Sequence, residues 1–118
     1  MGNADPDAVR EYYDLVDAEE YEALFSLFAD DVTYERPGQP SLSGIAEFRA
    51  FYREDRPLSD GVHEVDELVV EGDTVAVRGR FAGAKDGEDL QFGFADFHRF
   101  DDAGKITERW TYTDRGEV

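Results

Sequence analysis

The feature that most constrains the fold is a change in the spacing of apolar residues about halfway along the chain. Up to Tyr52, apolar side chains recur three and four positions apart, which is the spacing of one helix face. From Val62 onward they alternate with polar residues, which is typical of strands with one buried face. Helices followed by a run of strands predict an α+β domain with its helices packed on one face of a sheet.

The first half of the chain contains signals for three helices. Asp5 as N-cap and Pro6 at the first helical position predict where the first helix begins. Asp17 is expected to cap the second helix, and Ser43 or Gly44 to begin the third, which Pro57 ends. The predicted apolar faces are Val9, Tyr12, Tyr13 and Val16, then Tyr21, Leu24, Phe25 and Phe28, then Ile45, Phe48, Phe51 and Tyr52.

The rest of the sequence pattern is typical of strands. Val32–Tyr34 is predicted as a short strand that ends before Pro37, because proline cannot continue a central ladder. Turn sequences separate the four strands predicted for the second half, which are Val62–Val70, Thr74–Phe81, Leu90–Phe100 and Ile106–Thr113. We expect one domain over residues 1–118, a length sufficient to bury a core.

The charge balance excludes several kinds of partner. Acidic residues outnumber basic ones 29 to 12, for a formal net charge of −17. No basic face can form to neutralise phosphates, so we expect no nucleic-acid partner. A surface this acidic suits a salt-rich cytoplasm, where salt screens the repulsion, and indicates a halophilic source. No segment reads as a membrane span or signal peptide, and the absence of cysteine excludes disulfides and thiolate metal ligands. We therefore expect a cytoplasmic protein without a metal.

One predicted strand carries a carboxyl group on its apolar face. Alternation over Leu90–Phe100 places Asp96 and His98 on the same side as several aromatic residues. A carboxyl group there is either paired with a cation or kept neutral by a raised pKa. His98 is expected in the core or at the pocket rim, with a role as a base through water as the alternative. His63, among acidic neighbours, is expected at the surface.

The tract from Tyr12 to Tyr52 and the later run ADFHRFDDAGKITERW together resemble the ketosteroid isomerase branch of the SnoaL-like, nuclear-transport-factor-2-like superfamily. The resemblance implies three N-terminal helices on the concave face of a strongly curved mixed sheet, in the shape of a cone. It also implies a pocket for a small molecule and chemistry that needs no cofactor.

The resemblance assigns roles to individual residues. In ADFHRF, Asp96 matches the protonated aspartate that donates to the substrate oxyanion, and in EYYDLVD, Tyr12 matches its tyrosine partner. Tyr52 matches a tyrosine that supports the first one. In VTYERPG, however, Arg36 stands where the isomerases carry their aspartate base, and arginine stays protonated. Glu35 replaces it only if the strand shifts by one residue, because alternation sends Glu35 to the opposite side.

A buried charge cluster is the alternative to the isomerase-like site. Extending the match through ITERWTYT turns Arg109 inward, toward Arg36 and Asp96. Beside an arginine Asp96 is expected to be ionised, so it would accept hydrogen bonds or act as a base. Members of the superfamily that resemble epoxide hydrolases activate water with such groups. The plainer interpretation is a salt bridge that only fills the pocket, so that removing Arg36 would leave Asp96 unpaired.

Aromatic residues are expected to form the rest of the pocket wall. The ligand-binding residues predicted in this way are Tyr13, Val16, Phe28, Tyr34, Phe51, Tyr52, Phe92 and Phe94, together with His98 and Arg109. Such a lining suits a flat, hydrophobic, carbonyl-bearing or acidic ligand of steroid or polyketide type. Two functions remain open, proton transfer as in an isomerase or cyclase, and ligand binding or dimerisation without catalysis. Trp110 and Tyr112, on the convex face, predict a homodimer.

Overall fold

The computed structural model describes residues 3–55 and 58–115, and these residues form three short α-helices and a six-stranded sheet. The helices are α1 (Pro6–Asp17), α2 (Tyr21–Phe25) and α3 (Ile45–Ala50), and a π-helical turn, Phe51–Asp55, continues α3. The strands are β1 (Phe28–Glu35), β2 (Leu42–Ser43), β3 (Leu58–Glu71), β4 (Thr74–Lys85), β5 (Glu88–Phe100) and β6 (Ile106–Thr113). The predicted α+β class is confirmed.

The sheet is mixed and strongly curved, as the resemblance implied. Its strand order is β2-β1-β6-β5-β4-β3, with β1 and β6 parallel and the other neighbours antiparallel. Register shifts between Ser59 and Val62, and between Val65 and Glu67, interrupt the pairing of β3 with β4, and such bulges increase the local twist. At Gly79 a Cβ would lie 2.2 Å from the carbonyl oxygen of Glu64, so only glycine fits this close approach.

The helices cover the concave face of the sheet. α1 begins as predicted, with Asp5 Oδ1 accepting from the backbone N–H groups of Asp7 and Ala8 at 3.1 and 3.2 Å. Its apolar face turns Tyr12 and Tyr13 toward the inside of the cone, where both are buried. Within the residues described, no helix has the length and apolar character needed to cross a membrane.

Several predicted boundaries differ from the structure. Phe28 is the first residue of β1 rather than part of α2, because β1 pairs with β6 from Phe28 and Ile106 onward. Its ring nevertheless stays in the core, with its centroid 4.4 Å from that of Phe48. β1 is therefore longer than the predicted Val32–Tyr34. The sequence analysis missed β2, because Leu42–Ser43 is too short to show a period.

The third helix and the long strands show the same kind of difference. α3 follows Gly44, whose φ of +87° favours glycine, and Pro57 lies outside the described residues. β3 begins at Leu58 instead of Val62, and β4 and β5 continue to the turn at Asp86-Gly87. Hairpin pairing between backbones extends these strands beyond the residues whose side chains alternate.

Candidate functional site

The concave face of the sheet and α1 enclose a cavity of about 20 Å³. The lining residues are Tyr12, Tyr34, Arg36, Leu58, His63, Phe92, Phe94, Asp96, Arg109 and Thr111. This volume holds roughly one water molecule, whereas small-molecule pockets usually measure about 300–1,000 Å³. Most of the lining side chains carry a polar group, although the sequence predicted a largely apolar pocket. The space inside the cavity is therefore small, and a larger ligand requires side chains at its edge to move.

Asp96 on β5 is the centre of the polar cluster. Its Oδ2 accepts from the Tyr13 hydroxyl at 2.6 Å and from Arg109 Nη2 at 2.8 Å, and its Oδ1 accepts from Thr111 Oγ1 at 2.6 Å. Burial raises the pKa of the Asp96 carboxyl, but Arg109 and the hydrogen-bond donors outweigh burial and leave that pKa below its ordinary value. Asp96 is thus a carboxylate, which accepts hydrogen bonds and cannot donate one to an oxyanion.

Arg109 on β6 is the direct ion-pair partner of Asp96. Its guanidinium carbon lies 4.4 Å from the ring centroid of Tyr12 and 4.6 Å from that of Tyr34. Its Nη1 donates to the Tyr52 hydroxyl at 3.4 Å. Burial lowers the pKa of Arg109, but Asp96 and the surrounding tyrosines raise it well above its ordinary value. The cation is held between two aromatic faces and one carboxylate, an arrangement that stabilises its charge without water.

Arg36, at the end of β1, faces the same cavity and is 9% exposed. Its guanidinium carbon lies 5.0 Å from the ring centroid of Phe51, and its Nη1 donates to the Tyr34 hydroxyl at 3.4 Å. Tyr34 and Thr111 are in turn hydrogen-bonded at 2.8 Å. Because Thr111 gives its only hydroxyl proton to Asp96, Tyr34 must donate to Thr111. Arg36 is therefore linked to Asp96 through hydroxyl groups.

Glu35 does not take the place of Arg36. Its side chain lies on the exposed face and accepts from the indole N–H of Trp110 at 2.9 Å. At this strand end Arg36 therefore points inward and Glu35 points outward, as alternation predicts. The strand does not shift by the one residue that would bring Glu35 into the cavity.

A carboxylate–imidazole pair, Asp17 with His63, contributes to the site. His63 Nδ1 lies 2.5 Å from Asp17 Oδ1, and the backbone N–H of His63 donates to Asp17 Oδ2 at 2.8 Å. The side chains of His63 and Asp17 are only 10% and 20% exposed, so the prediction of a surface histidine is wrong. The predicted capping role of Asp17 is also wrong, because α2 has Glu20 at its N-cap with no side-chain hydrogen bond.

The sequence analysis missed this pair for a physical reason. His63 lies opposite Phe81 in the β3–β4 register and packs on its ring with centroids 4.8 Å apart, so it belongs to the inner face. Its acidic neighbours, Glu64 and Asp66, point outward and bind Arg80, which gives the segment a polar appearance. In the predicted strand, alternation places His63 on the same side as Val65, and this pattern could have predicted that His63 points inward.

His98 lies behind the cavity lining. It is fully buried, with Nε2 3.3 Å from the Tyr13 hydroxyl. Burial, followed by the neighbouring Arg109, lowers the pKa of His98 to about 3, so the imidazole is neutral at ordinary pH. His98 therefore does not occupy a position from which it could act as a base through water in the cavity.

The predicted site residues fall into two groups. Those that line the cavity are Tyr12, Tyr34, Arg36, Phe92, Phe94, Asp96 and Arg109. Those that pack behind the lining are Tyr13, Val16, Phe28, Phe51, Tyr52 and His98. The hydroxyls of Tyr12 and Tyr52 are hydrogen-bonded to each other. In the part of the chain that the structure describes, no group of three acidic or histidine side chains is arranged to hold a metal ion.

A cone-shaped α+β fold with polar groups converging inside it defines a class of small pocket proteins. The chain belongs to the SnoaL-like domain family, whose model matches residues 9–109. The predicted family is therefore confirmed.

Solved structures show the same fold. An NTF2-like protein of unknown function from Exiguobacterium is 28% identical, with a TM-score of 0.79 over 91% of this chain and 98% of that one. An LEH-like epoxide hydrolase from M. tuberculosis is 20% identical, with a TM-score of 0.80 over 92% and 81% of the two chains. A protein of ketosteroid isomerase-like fold from Catenulispora acidiphila, in complex with trimethylamine, is 21% identical, with a TM-score of 0.79 over 91% and 85%.

Proposed function

We propose that this protein transfers a proton on a small, hydrophobic, carbonyl-bearing molecule, with His63 as the base. The observation that carries the proposal is that His63 lines the same cavity as Arg36 and Arg109 while Asp17 holds its Nδ1. A base on one side of a cavity and cations on another are the two elements that carbon–hydrogen proton transfer requires.

The pair Asp17–His63 has the features of an oriented base. A carboxylate only accepts hydrogen bonds, so Nδ1 of His63 carries the hydrogen and the neutral ring has its lone pair on Nε2. Asp17 fixes this tautomer and stabilises the imidazolium that forms when Nε2 takes a proton. Imidazole exchanges protons near neutral pH, which suits a general base.

The remaining polar groups of the cavity supply donors. Arg36 and Arg109 present N–H groups, whereas Thr111 and Tyr34 have already committed their hydroxyl protons. In the proposed reaction, Nε2 of His63 takes a proton from the carbon next to the carbonyl. The C–H electron pair forms the enolate, whose oxygen is stabilised by the cations. The imidazolium then returns the proton to a different carbon, giving an isomerisation, or to the same one.

Asp96 has a supporting role in this proposal. Its carboxylate accepts from Arg109, Thr111 and Tyr13, so it orients the arginine and does not serve as a neutral donor beside Tyr12. This differs from the isomerase-like pattern, in which the aspartate is protonated. Because Arg36 cannot act as the isomerase base and the cavity holds roughly one water molecule, we expect little activity on a substrate as large as a ketosteroid.

Deuterium uptake from D2O tests the base directly. A panel of cyclic enones, β-keto esters and aryl ketones is incubated with the protein in molar KCl, and loss of the proton next to the carbonyl is followed by NMR. We expect His63→Gln to slow the exchange by about 100-fold or more, with a smaller loss in Asp17→Asn. Glu64→Gln, on the outer side of the same strand, is the matched control. Undiminished exchange in His63→Gln would contradict the proposal.

Ligand binding without catalysis is the second candidate. It is favoured by Arg36 at the position of the isomerase base, because arginine stays protonated and cannot take up a proton. Binding that raises the unfolding midpoint of the wild type and of His63→Gln equally, with no deuterium uptake, would support this function over the first.

We also propose that the protein forms a homodimer through the outer face of β5 and β6. Tyr112 and Phe97 are 55% and 39% exposed there, with ring centroids 6.1 Å apart, while Trp110 lies half-buried beside them. Light scattering in molar KCl should give twice the 13.4 kDa chain mass. Tyr112→Ser should release monomer, and Val69→Ser, an equally exposed site on β3, should not. A wild-type monomer would rule the dimer out.

A halophilic origin is a further proposal. It is supported by the net charge of −17, whose self-repulsion salt screens. The unfolding midpoint should rise between dilute and molar KCl, and a flat dependence would leave the proposal without support.

A further inference from the structure

His98 is a buried titratable group that the proposed reaction does not use. It faces inward from β5, and Nε2 approaches the Tyr13 hydroxyl at 3.3 Å. Nδ1 has no hydrogen-bond partner among the described residues. The titratable side chains packed around it are Asp96 on its own strand, Arg109 on β6, and Tyr12 and Tyr13 on α1.

Counting protons fixes the state of this histidine. Asp96 is a carboxylate, so the Tyr13 hydroxyl must donate its only proton to Oδ2 across the 2.6 Å contact. Toward His98, the same hydroxyl can therefore only accept. Nε2 of His98 must carry the hydrogen, and the lone pair of the neutral ring lies on Nδ1.

We propose that His98 is a positioning residue, which as the neutral Nε2–H tautomer holds the Tyr13 phenol in place between Asp96 and His63. Tyr13 packs against the His63 ring, with centroids 5.3 Å apart and planes 37° from parallel. A phenol that donates to Asp96 and accepts from His98 has both of its hydrogen-bonding directions defined. The wall against which His63 rests is thereby fixed. The inference rests on the proposed function only in treating His63 as the reactive histidine.

The two histidines are then expected in opposite tautomers. His63 has hydrogen on Nδ1 because of Asp17, and His98 has hydrogen on Nε2 because of Tyr13. Long-range ¹H–¹⁵N spectra distinguish a protonated ring nitrogen from a bare one, and the chain contains only these two histidines. We expect one neutral ring with bare Nδ1, unchanged between pH 5 and 8, and we assign it by its loss in His98→Gln. Hydrogen on Nδ1 of His98, or its conversion to imidazolium in this range, would overturn the inference.

Variants of His98 test the positioning role. Gln retains a side-chain N–H that can donate to Tyr13, whereas Leu does not. Two properties of His63 are measured, the rate of its carbethoxylation by diethyl pyrocarbonate and the NMR chemical shift of its ring proton. We expect both to change in His98→Leu and to return toward the wild-type values in His98→Gln. Equal behaviour of the two variants would contradict the positioning role. If one variant fails to fold, the wild-type tautomer spectrum still decides the inference. A wild-type His63 that lacks hydrogen on Nδ1 would instead count against the proposed function.

Discussion

Among the residues that the structure describes, Asp96 and Asp17 both face the interior, and their surroundings differ. Asp96 is 2% exposed and accepts three side-chain hydrogen bonds, one of them from the buried cation Arg109. Asp17 lies at the end of α1, is partly exposed, and accepts from the ring and the backbone of His63. Full burial with a permanent cation fixes the charge of Asp96, whereas the partner of Asp17 is an imidazole, the group that we propose as the base. In the proposed function, the same residue type thus supplies structure in one place and reactivity in the other.

The largest effect should come from removing the cation beside Asp96. Arg109→Met keeps an apolar chain of similar length between Tyr12 and Tyr34 but leaves the Asp96 carboxylate buried and unpaired. We expect a loss of about 3–5 kcal/mol in the free energy of unfolding, measured by urea denaturation in molar KCl. Adding Asp96→Asn should recover part of that loss.

The matched control for this change is Arg78→Met on the outer face of β4. Arg78 forms an ion pair with Glu67, and the side chains are 65% and 58% exposed. Exposed ion pairs contribute at most about 1 kcal/mol. Equal losses in the two variants would mean that the buried ion pair contributes no more to stability than the exposed one.

The next effect is a pH dependence that originates at His98. Its pKa falls from an ordinary 6.5 to about 3 on folding, so the unfolded chain binds more protons between these values. Stability therefore decreases as the pH falls from 6.5 toward 3, and this histidine costs about 2 kcal/mol at pH 5. Relative to wild type, the free energy of unfolding of His98→Gln should therefore increase by about 2 kcal/mol when the pH is lowered from 7.5 to 5. A constant difference between the two proteins over that range would contradict the buried neutral state.

Removing the charge of Asp17 should have a smaller effect on stability. In Asp17→Asn, the amide oxygen can accept from the ring or from the backbone N–H of His63, but the amide nitrogen cannot replace the second acceptor. The loss of one hydrogen bond corresponds to about 1 kcal/mol, read from urea denaturation. Asp14→Asn, on the exposed side of α1, is the control and should change little. A loss as large as that of Arg109→Met would make Asp17 a structural residue like Asp96.

The two aspartate sites also differ in how far the sequence predicted them. Alternation alone placed Asp96 inside, and the family resemblance added Arg36 and Arg109 to the same region. The helix and strand pattern likewise predicted the fold, because apolar spacing determines which faces are buried. Asp17 and His63 are 46 positions apart, and their contact depends on where the end of α1 meets β3. No local pattern encodes that meeting, and the acidic neighbours of His63 made it resemble a surface residue.

The smallest effect should be the coupling between Arg36 and Asp96. The sequence analysis expected Arg36 to be the partner whose loss leaves Asp96 unpaired, but the direct partner is Arg109, and Arg36 connects only through Tyr34 and Thr111. We expect Thr111 to keep its hydrogen bond to Asp96 when Arg36 is removed, because Arg36 contacts neither of these two groups directly in the hydrogen-bonded chain. Residues in one hydrogen-bond network usually couple by about 0.5–3 kcal/mol. In a double-mutant cycle of Arg36→Leu with Asp96→Asn, we expect a coupling at the lower end of this range, about 0.5 kcal/mol, because two hydroxyl groups separate the charges.

The same cycle with Arg109→Met in place of Arg36→Leu provides the contrast, and its coupling should be several times larger because the two charges are in contact. A coupling of Arg36 to Asp96 as large as that of Arg109 would show that the hydroxyl groups of Tyr34 and Thr111 transmit charge between them. In that case Asp96 would neutralise both arginines, the cavity would offer a substrate oxygen weaker cations, and ligand binding without catalysis would become the better function for this site.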